Sequence, residues 1–306
     1  MVSVIVPLYN KQQYVAKTIQ SVLDQTYADF EIVVVNDGST DDSEKVVKTF
    51  QDPRIRLITI ENSGVSVARN TGIEKAQYPW ISFLDGDDWW DPNFLAEMVK
   101  AMEAFPKVNI FGAGRSRVFE DSIERYQHAL LPKDGTSGIT NYFEIIKKYL
   151  PPINASNAVF KASLFDANHR FRKGQRKHED HDLWIRLCAN EEVVFINKPL
   201  SFYLKNTAQS ASQAVYDATD FCTYLTTLAE VKPKLTDQEQ QWFSKYLNSF
   251  VPIVYLQNYK HYSRSEEKQV YKLAKRLVRG KHKALLTLLH AFPYKGMYGL
   301  LKRLKG

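Results

Sequence analysis

The sequence predicts an α/β chain built on a mostly parallel central sheet with helices on both faces, followed by a C-terminal helical region. Three observations predict it. Strand-like apolar runs alternate with helical periodicity over the first 110 residues. Several of those runs are apolar throughout, as strands buried on both faces are. From about residue 213 onward the pattern is helical alone. At 306 residues the chain is long enough for about two domains, and we place them at 1–212 and 213–306, with a subdivision of the first near 110.

In order, Val2 to Pro7 is a short apolar run closed by a proline, the pattern of a buried parallel strand. Val15, Ile19, Val22 and Leu23 then recur at helical spacing. Ile32 to Val35 is a second buried strand, and Asn36-Asp37-Gly38-Ser39 is a turn. Asp41 or Asp42 caps the next helix, which ends before Pro53. Ile55 to Ile60 is a third strand, followed by a helix from near Val65. Trp80 to Leu84 is a fourth, followed by a helix from about Asn93 to Phe105. Residues 107–212 are less regular: Val108 to Gly112 and Val193 to Ile196 read as strands, and Asp180 to Ala189 as a helix. Helical runs at 214–230, 236–259 and 265–289 complete the chain.

Composition narrows the classes. With 44% hydrophobic and 25% charged residues, wholesale disorder is excluded. No window approaches the roughly 18 apolar residues of a membrane-spanning helix, and Met1 to Pro7 lacks the basic start and cleavage site of a signal peptide. Two cysteines, Cys188 and Cys222, exclude a disulfide framework and suit a reducing cytosol. The net charge of +7 is uneven: residues 260–306 carry +11 and the first 259 carry −4. A nucleic-acid binder is one reading of that basic tail, but its runs lack interleaved stacking aromatics.

In an open parallel sheet, ligands bind beyond the carboxyl ends of the strands. The residues there are Tyr9 and Asn10 after the first strand, Asp37 after the second and Asp85-Gly86-Asp87-Asp88 after the fourth. A dinucleotide site needs a glycine-rich turn after the first strand, and Leu8-Tyr9-Asn10-Lys11 has none. No G-x-x-x-x-G-K is present either. Three carboxylates in four residues repel one another unless a cation joins them, and hard cations such as Mg²⁺, Mn²⁺ or Ca²⁺ take oxygen ligands. A solvated acidic turn capping the next helix is the plain alternative.

Five stretches together resemble the inverting family 2 glycosyltransferases of GT-A fold, of the bacterial surface-polysaccharide type. They are Val4 to Asn10, Val34 to Asp41, Asn62-Ser63-Gly64 through Ala68-Arg69-Asn70, Ile81 to Asp88, and Glu179 to Trp184. The resemblance covers about residues 1–205, in the family's order, and leaves the C-terminal hundred unmatched. It implies a nucleotide-sugar half at about 1–110 and an acceptor half at 111–212. Pro7 and Tyr9 would flank the nucleotide base, and Asp37 would hydrogen-bond it, most often as uracil. Arg69 would approach the diphosphate or the ribose. Asp85 and Asp87 would form the D-x-D pair, Asp87 as the direct metal ligand and Asp85 nearer the ribose. Asp180 would be the general base.

Each residue also has a structural reading. Asp37 suits a turn, Arg69 a helix surface, Tyr9 a core, and Asp180 a helix cap. Trp89 and Trp90 suit an acceptor wall or the core equally. His178 and His181 stand three apart, which is not the spacing of a zinc-protease helix, and read as residues at the site's edge. Cys188 reads as inert core.

The reaction implied is transfer of a sugar from a nucleotide sugar, a UDP-sugar first, to a glycan or lipid-linked hydroxyl. Mn²⁺ or Mg²⁺ would be the cofactor. A metal-dependent nucleotidyltransferase or a non-catalytic sugar-nucleotide binder is the alternative. A cytoplasmic location is expected, peripheral on the membrane's inner face if the basic C-terminus docks on anionic lipid. There Leu285, Leu288, Leu289 and Phe292 recur at helical spacing, as do Met297, Leu300, Leu301 and Leu304, with Lys281, Lys283, Lys295, Lys302, Arg303 and Lys305 among them.

Overall fold

The computed structural model describes residues 1–189, 191–205 and 217–291. The chain divides into two compact units, residues 1–145 with 149–210, and residues 146–148 with 211–306. The stretch from Met297 to Lys305, where the second C-terminal leucine set falls, lies outside the described residues, as does Phe292.

The first unit opens with β1 (Val2–Leu8), α1 (Val15–Leu23), β2 (Phe30–Asp37), α2 (Ser43–Lys48), β3 (Ile55–Ile60), α3 (Val65–Lys75) and β4 (Trp80–Phe83). It continues through β5 (Trp89–Trp90), α4 (Phe94–Ala104), β6 (Ile110–Val118), β7 (Ile123–Arg125), β8 (Ser137–Thr140) and α5 (Tyr142–Ile146). Then come β9 (Ala158–Lys161), α6 (Glu179–Cys188) and β10 (Val193–Leu204). All ten strands join one sheet, whose main order is β3-β2-β1-β4-β9-β6-β10-β5. β3, β2, β1 and β4 pair in parallel, as do β6 and β10. β9 joins the two parallel groups by pairing antiparallel with both β4 and β6.

The parallel order follows from the residues. β1 and β2 are buried along their whole length, so helices cover both faces. Val2, Val4, Val6 and Leu8 pack with Val15, Ile19 and Val22 of α1 and with Phe94, Leu95 and Met98 of α4. Each such side chain contributes roughly 1.5–3 kcal/mol on burial. On the other face Val33 and Val35 meet Ala68 of α3. Gly72 of α3 crosses so close to β1 that a Cβ there would fall within the Ile5 side chain. This order places the carboxyl ends of β2, β1 and β4 side by side.

Several boundaries differ from expectation. Val108 is not in a strand, because its N–H closes a turn onto the carbonyl of Phe105 (3.0 Å), and β6 starts at Ile110. β10 runs on to Leu204 through a register shift at Pro199. Asp42 stands at the cap position of α2, yet it is Asp41 that accepts the Ser43 N–H (2.9 Å). The short strands β5, β7, β8 and β9 carry no sequence signal strong enough to be read.

The second unit holds α7 (Ala218–Val231), α8 (Asp237–Asn258), α9 (Arg264–Leu277) and α10 (Gly280–Ala291). Thr236 with Glu239 and Ser263 with Glu266 form capping boxes at the starts of α8 and α9. The run expected as one helix over 265–289 is two. Gly280 takes φ +56 and the Arg279 N–H leaves the helical ladder for the Asn248 side chain (3.0 Å), so the chain turns back on itself. Leu286 and Leu289 of α10 are buried, whereas Leu285 and Leu288 are exposed. Leu289 therefore does not belong to the outward stripe expected of it. Among the described residues no helix is long and apolar enough to cross a membrane.

Replacing Gly72 with alanine should lower the midpoint of urea unfolding, with a net loss of about 1–2 kcal/mol. Overpacking against Ile5 outweighs the roughly 1 kcal/mol that alanine gains in a helix. An unchanged midpoint would mean that α3 can move off β1.

Candidate active site

The site is assembled from the ends of β1, β2 and β4 and from the start of α6. Pro7 is buried within β1, while the Tyr9 ring just beyond it is 46% exposed, so Tyr9 is not a core residue. Asn10 takes φ +50, and its side-chain oxygen accepts the Thr40 N–H (2.8 Å), tying the end of β1 to the loop after β2. Asp37 ends β2. Its carboxylate oxygens accept the N–H groups of Ser63 (2.7 Å) and Gly64 (2.8 Å), fixing the loop that starts α3. Each oxygen keeps a further lone pair.

α3 carries Arg69, which is 2% exposed and so no surface cation. Its guanidinium donates to Asp85 Oδ1 (2.7 Å) and to Glu179 Oε1 (2.9 Å), with the Phe171 ring against it. Burial alone would disfavour its charge, but the neighbouring carboxylates, Asp85 first, hold the proton in place. One buried cation thus joins the turn after β4 to α6, with Arg69 itself 110 residues from Glu179 in sequence.

In the acidic turn, the Asp88 N–H bonds back to the Asp85 carbonyl (2.9 Å). Asp87 accepts the Lys11 ammonium on Oδ2 (2.5 Å). Burial raises the Asp87 pKa, and Lys11 opposes the shift. Asp88 is buried inward beneath the turn, where its Oδ1 accepts the Leu204 N–H (3.3 Å) and burial drives its pKa well up. Three neighbouring aspartates therefore have three environments.

At α6 the cap position belongs to His178, in left-handed conformation at φ +57, and Asp180 is the second helical residue. Capping is thus not what places Asp180. Its Oδ1 accepts the His181 N–H (2.6 Å), and burial raises its pKa against the pull of Arg69. Glu179, beside it, is pushed up to about 7 by burial despite its bond to Arg69. Burial also holds both histidines neutral, His178 near 4 and His181 well below the usual range. Asp182 is fully buried and bonded to Arg186 (2.8 Å), so the last acid of Glu-Asp-His-Asp anchors the helix.

Trp89 and Trp90 part company. Trp90 is core, stacked on Phe94 and donating to the Ser156 carbonyl (2.7 Å). Trp89 lines a cavity of about 280 Å³ beside Asp87 and Asp88, with the Lys17 ammonium 3.1 Å from its ring centre. Cys188 is buried, and burial raises its thiol pKa, which makes it inert. Sequence reading missed Lys11 and the bridging role of Glu179. The signal for Lys11 was its place directly after a site-facing strand end.

Among the described residues no three His, Cys, Asp or Glu side chains are grouped to hold a metal ion by themselves. The chemistry of the turn nonetheless fits a hard cation. Mg²⁺-like ions are held by one or two carboxylates together with substrate phosphates, and Asp87 already presents an oxygen to the Lys11 ammonium.

The pattern of the family described as Glycosyl transferase family 2 matches residues 3–169. Glycosyltransferase GlyA of Streptococcus pneumoniae is 33% identical over 212 residues, covering 66% of this chain and 30% of that protein. Escherichia coli WfgD, named as a UDP-Glc:alpha-D-GlcNAc-diphosphoundecaprenol beta-1,3-glucosyltransferase, is 42% identical over 33% of this chain and 41% of its own length. The chain spans about a third of the length of GlyA and of the two similarly matched Rickettsia glycosyltransferases, and 60% of the Bacillus subtilis putative glycosyltransferase EpsH. The crystal structure of Staphylococcus aureus TarS 1–349 in complex with UDP-GlcNAc superposes with a TM-score of 0.74 at 18% identity, over 93% of this chain and 83% of that one. The fold is therefore the GT-A arrangement of these glycosyltransferases.

Arg69→Met should cost about 3–5 kcal/mol in denaturant unfolding, because it strands two partly buried carboxylates. The loss should be smaller at about pH 5 than at pH 8. Without the guanidinium, Glu179 has its pKa raised further by burial, so folding is penalised above that pKa and relieved once protonation restores neutrality. A loss independent of pH would assign the effect to packing instead.

Proposed function

Because the chain belongs to glycosyl transferase family 2, we propose that it moves a sugar from a UDP-sugar to a hydroxyl of a glycan or lipid-linked acceptor, with inversion at the anomeric carbon. The observation that carries this reading is the Arg69 bridge, which brings the Asp85 turn and the Glu179-Asp180 pair to one buried cation. The UDP-GlcNAc complex of TarS and the donor and acceptor in the name of WfgD support the choice of substrates.

In this reading residues 1–212 form the catalytic domain. Pro7 and Tyr9 flank the base, and Asp37 bonds it with the lone pairs left free by Ser63 and Gly64. Asp85 lies toward the ribose and Arg69 keeps it in place. Mn²⁺ or Mg²⁺, when held by Asp87 and Asp85 with the donor phosphates, supplies charge neutralisation to the leaving diphosphate. Asp180 takes the proton from the acceptor hydroxyl on the opposite face of the anomeric carbon. Burial raises its basicity, which suits that task near neutral pH. Trp89 and its cavity suit an acceptor sugar ring.

We also propose that residues 213–306 dock reversibly on an anionic membrane. On α10, Leu285 and Leu288 face outward with Lys281 and Lys283 exposed beside them. An apolar strip with flanking cations is what an in-plane helix needs, and each cation near an anionic leaflet adds roughly 1 kcal/mol.

Two measurements test these readings. Incubated with a panel of nucleotide sugars, Mn²⁺ and acceptor, the protein should release UDP. Asp180→Asn should lower turnover by a factor on the order of 10² or more, with UDP binding intact by calorimetry. Lost UDP affinity would move Asp180 to the donor side. For the membrane, vesicles containing anionic lipid should sediment the protein at low salt and release it at high salt. Leu285→Ser with Leu288→Ser should abolish sedimentation without altering the melting temperature. Equal sedimentation of both proteins would make these leucines irrelevant to docking.

A further inference from the structure

Lys11 is not accounted for by any of the roles above. We propose that its ammonium occupies the cation seat on Asp87 while the donor is absent, and that this makes metal uptake depend on the nucleotide. The inference rests on the reading of Asp87 as a metal ligand.

The backbone delivers Lys11 with little freedom. Asn10 before it is held in the left-handed region by its bond to Thr40. The Lys11 N–H donates to Ser43 Oγ (2.7 Å), and its carbonyl accepts the N–H groups of Tyr14 (2.9 Å) and Val15 (3.0 Å) at the start of α1. The side chain then passes Gly86, whose missing Cβ would stand 3.5 Å from Lys11 Cγ and 3.4 Å from the Pro7 carbonyl oxygen. The glycine inside the Asp-Gly-Asp-Asp turn thus lies along the lysine stem. Beyond it, Nζ meets Asp87 Oδ2 at 2.5 Å, with the two side chains only 19% and 14% exposed.

The three aspartates of the turn differ in how their charge is met. Asp85 has Arg69, a guanidinium 3% exposed and clamped by two carboxylates, which cannot leave. Asp88 lies inward with its pKa driven up by burial. Asp87 has an ammonium on a flexible four-carbon stem, a point charge that can swing away. Two cations cannot share one carboxylate oxygen without strong repulsion in a partly buried site. A divalent ion therefore binds the donor-free protein only by displacing the Lys11 ammonium from Asp87 Oδ2. A nucleoside diphosphate changes that balance: its phosphate oxygens accept the displaced ammonium and add ligands for the metal. Lys11 is then a positioning residue that couples the two ligands, and coupling is reciprocal.

The test measures free Mn²⁺ by electron paramagnetic resonance, with and without UDP, for the unmodified protein and for Lys11→Met and Lys11→Arg. Lys11→Met should bind Mn²⁺ alone about tenfold more tightly, and UDP should improve its Mn²⁺ affinity about tenfold less than in the unmodified protein. Lys11→Arg should keep the unmodified behaviour. Circular dichroism melting checks that each variant is folded, and Lys11→Gln replaces Lys11→Met if that variant is not. Unchanged or weaker Mn²⁺ binding in the neutral variant, with the unmodified protein binding Mn²⁺ normally, overturns the role of Lys11 and leaves the metal reading standing. Absence of Mn²⁺ binding in every protein, with UDP present and itself bound, overturns both.

Discussion

The site is organised by the buried guanidinium of Arg69. Its charge is carried into the protein on a helix, α3, that lies tightly on β1, and it is accepted there because Asp85 and Glu179 meet it from two sides. Desolvating such a group is costly unless its hydrogen bonds are met. Once they are, the turn after β4 and the first turn of α6 are no longer independent pieces of chain. The positions of Asp85 and of Asp180 are then consequences of one ionic node.

The node also sets the electrostatics. Asp85, Asp87, Asp88, Glu179 and Asp180 crowd one end of the sheet, against Arg69 and Lys11. Burial pushes four of the five carboxyls up in pKa, and they respond by position: Asp88 turns inward, Glu179 rises to about 7, and Asp180 gains basicity. An arrangement with this much acid and so few cations is suited to ligands that bring their own positive charge. It is equally suited to drawing a proton from a hydroxyl.

Much of this was legible in the sequence, and the reason is physical. β1 and β2 are apolar runs between turn residues, and burial on both faces leaves them little ambiguity; β3 and β4 were legible from their β-branched and aromatic residues between turns. The acidic turn was legible as a type because charge placed directly after a buried strand has few structural explanations, whereas the Glu-Asp pair was legible only through its resemblance to a family motif. What was not legible depends on distance in the sequence. β9 pairs with β4 and β6 far from it in the chain, and nothing local marks its four residues. Lys11 finds Asp87 across 76 residues, and Arg69 finds Glu179 across 110. The helical run over 265–289 reads as continuous because Gly280 sits among good helix formers, and only the Asn248 side chain reveals the break. Trp90, which suits an acceptor wall or the core equally in sequence, is structural because of what covers it.

Asp37 shows how tightly recognition and architecture are joined here. Its two oxygens hold the backbone of Ser63 and Gly64, and Gly64 caps the helix whose early turns present Arg69. The residue read as choosing the nucleotide base is therefore also the peg from which the ionic node hangs. Any exchange at this position made to admit a different base would slacken the helix start and displace the guanidinium downstream. On the proposed reading of Tyr9, a change of donor preference has a freer outlet at its exposed ring, where a new side chain leaves the Asp37 peg untouched. Re-engineering of the donor should begin there.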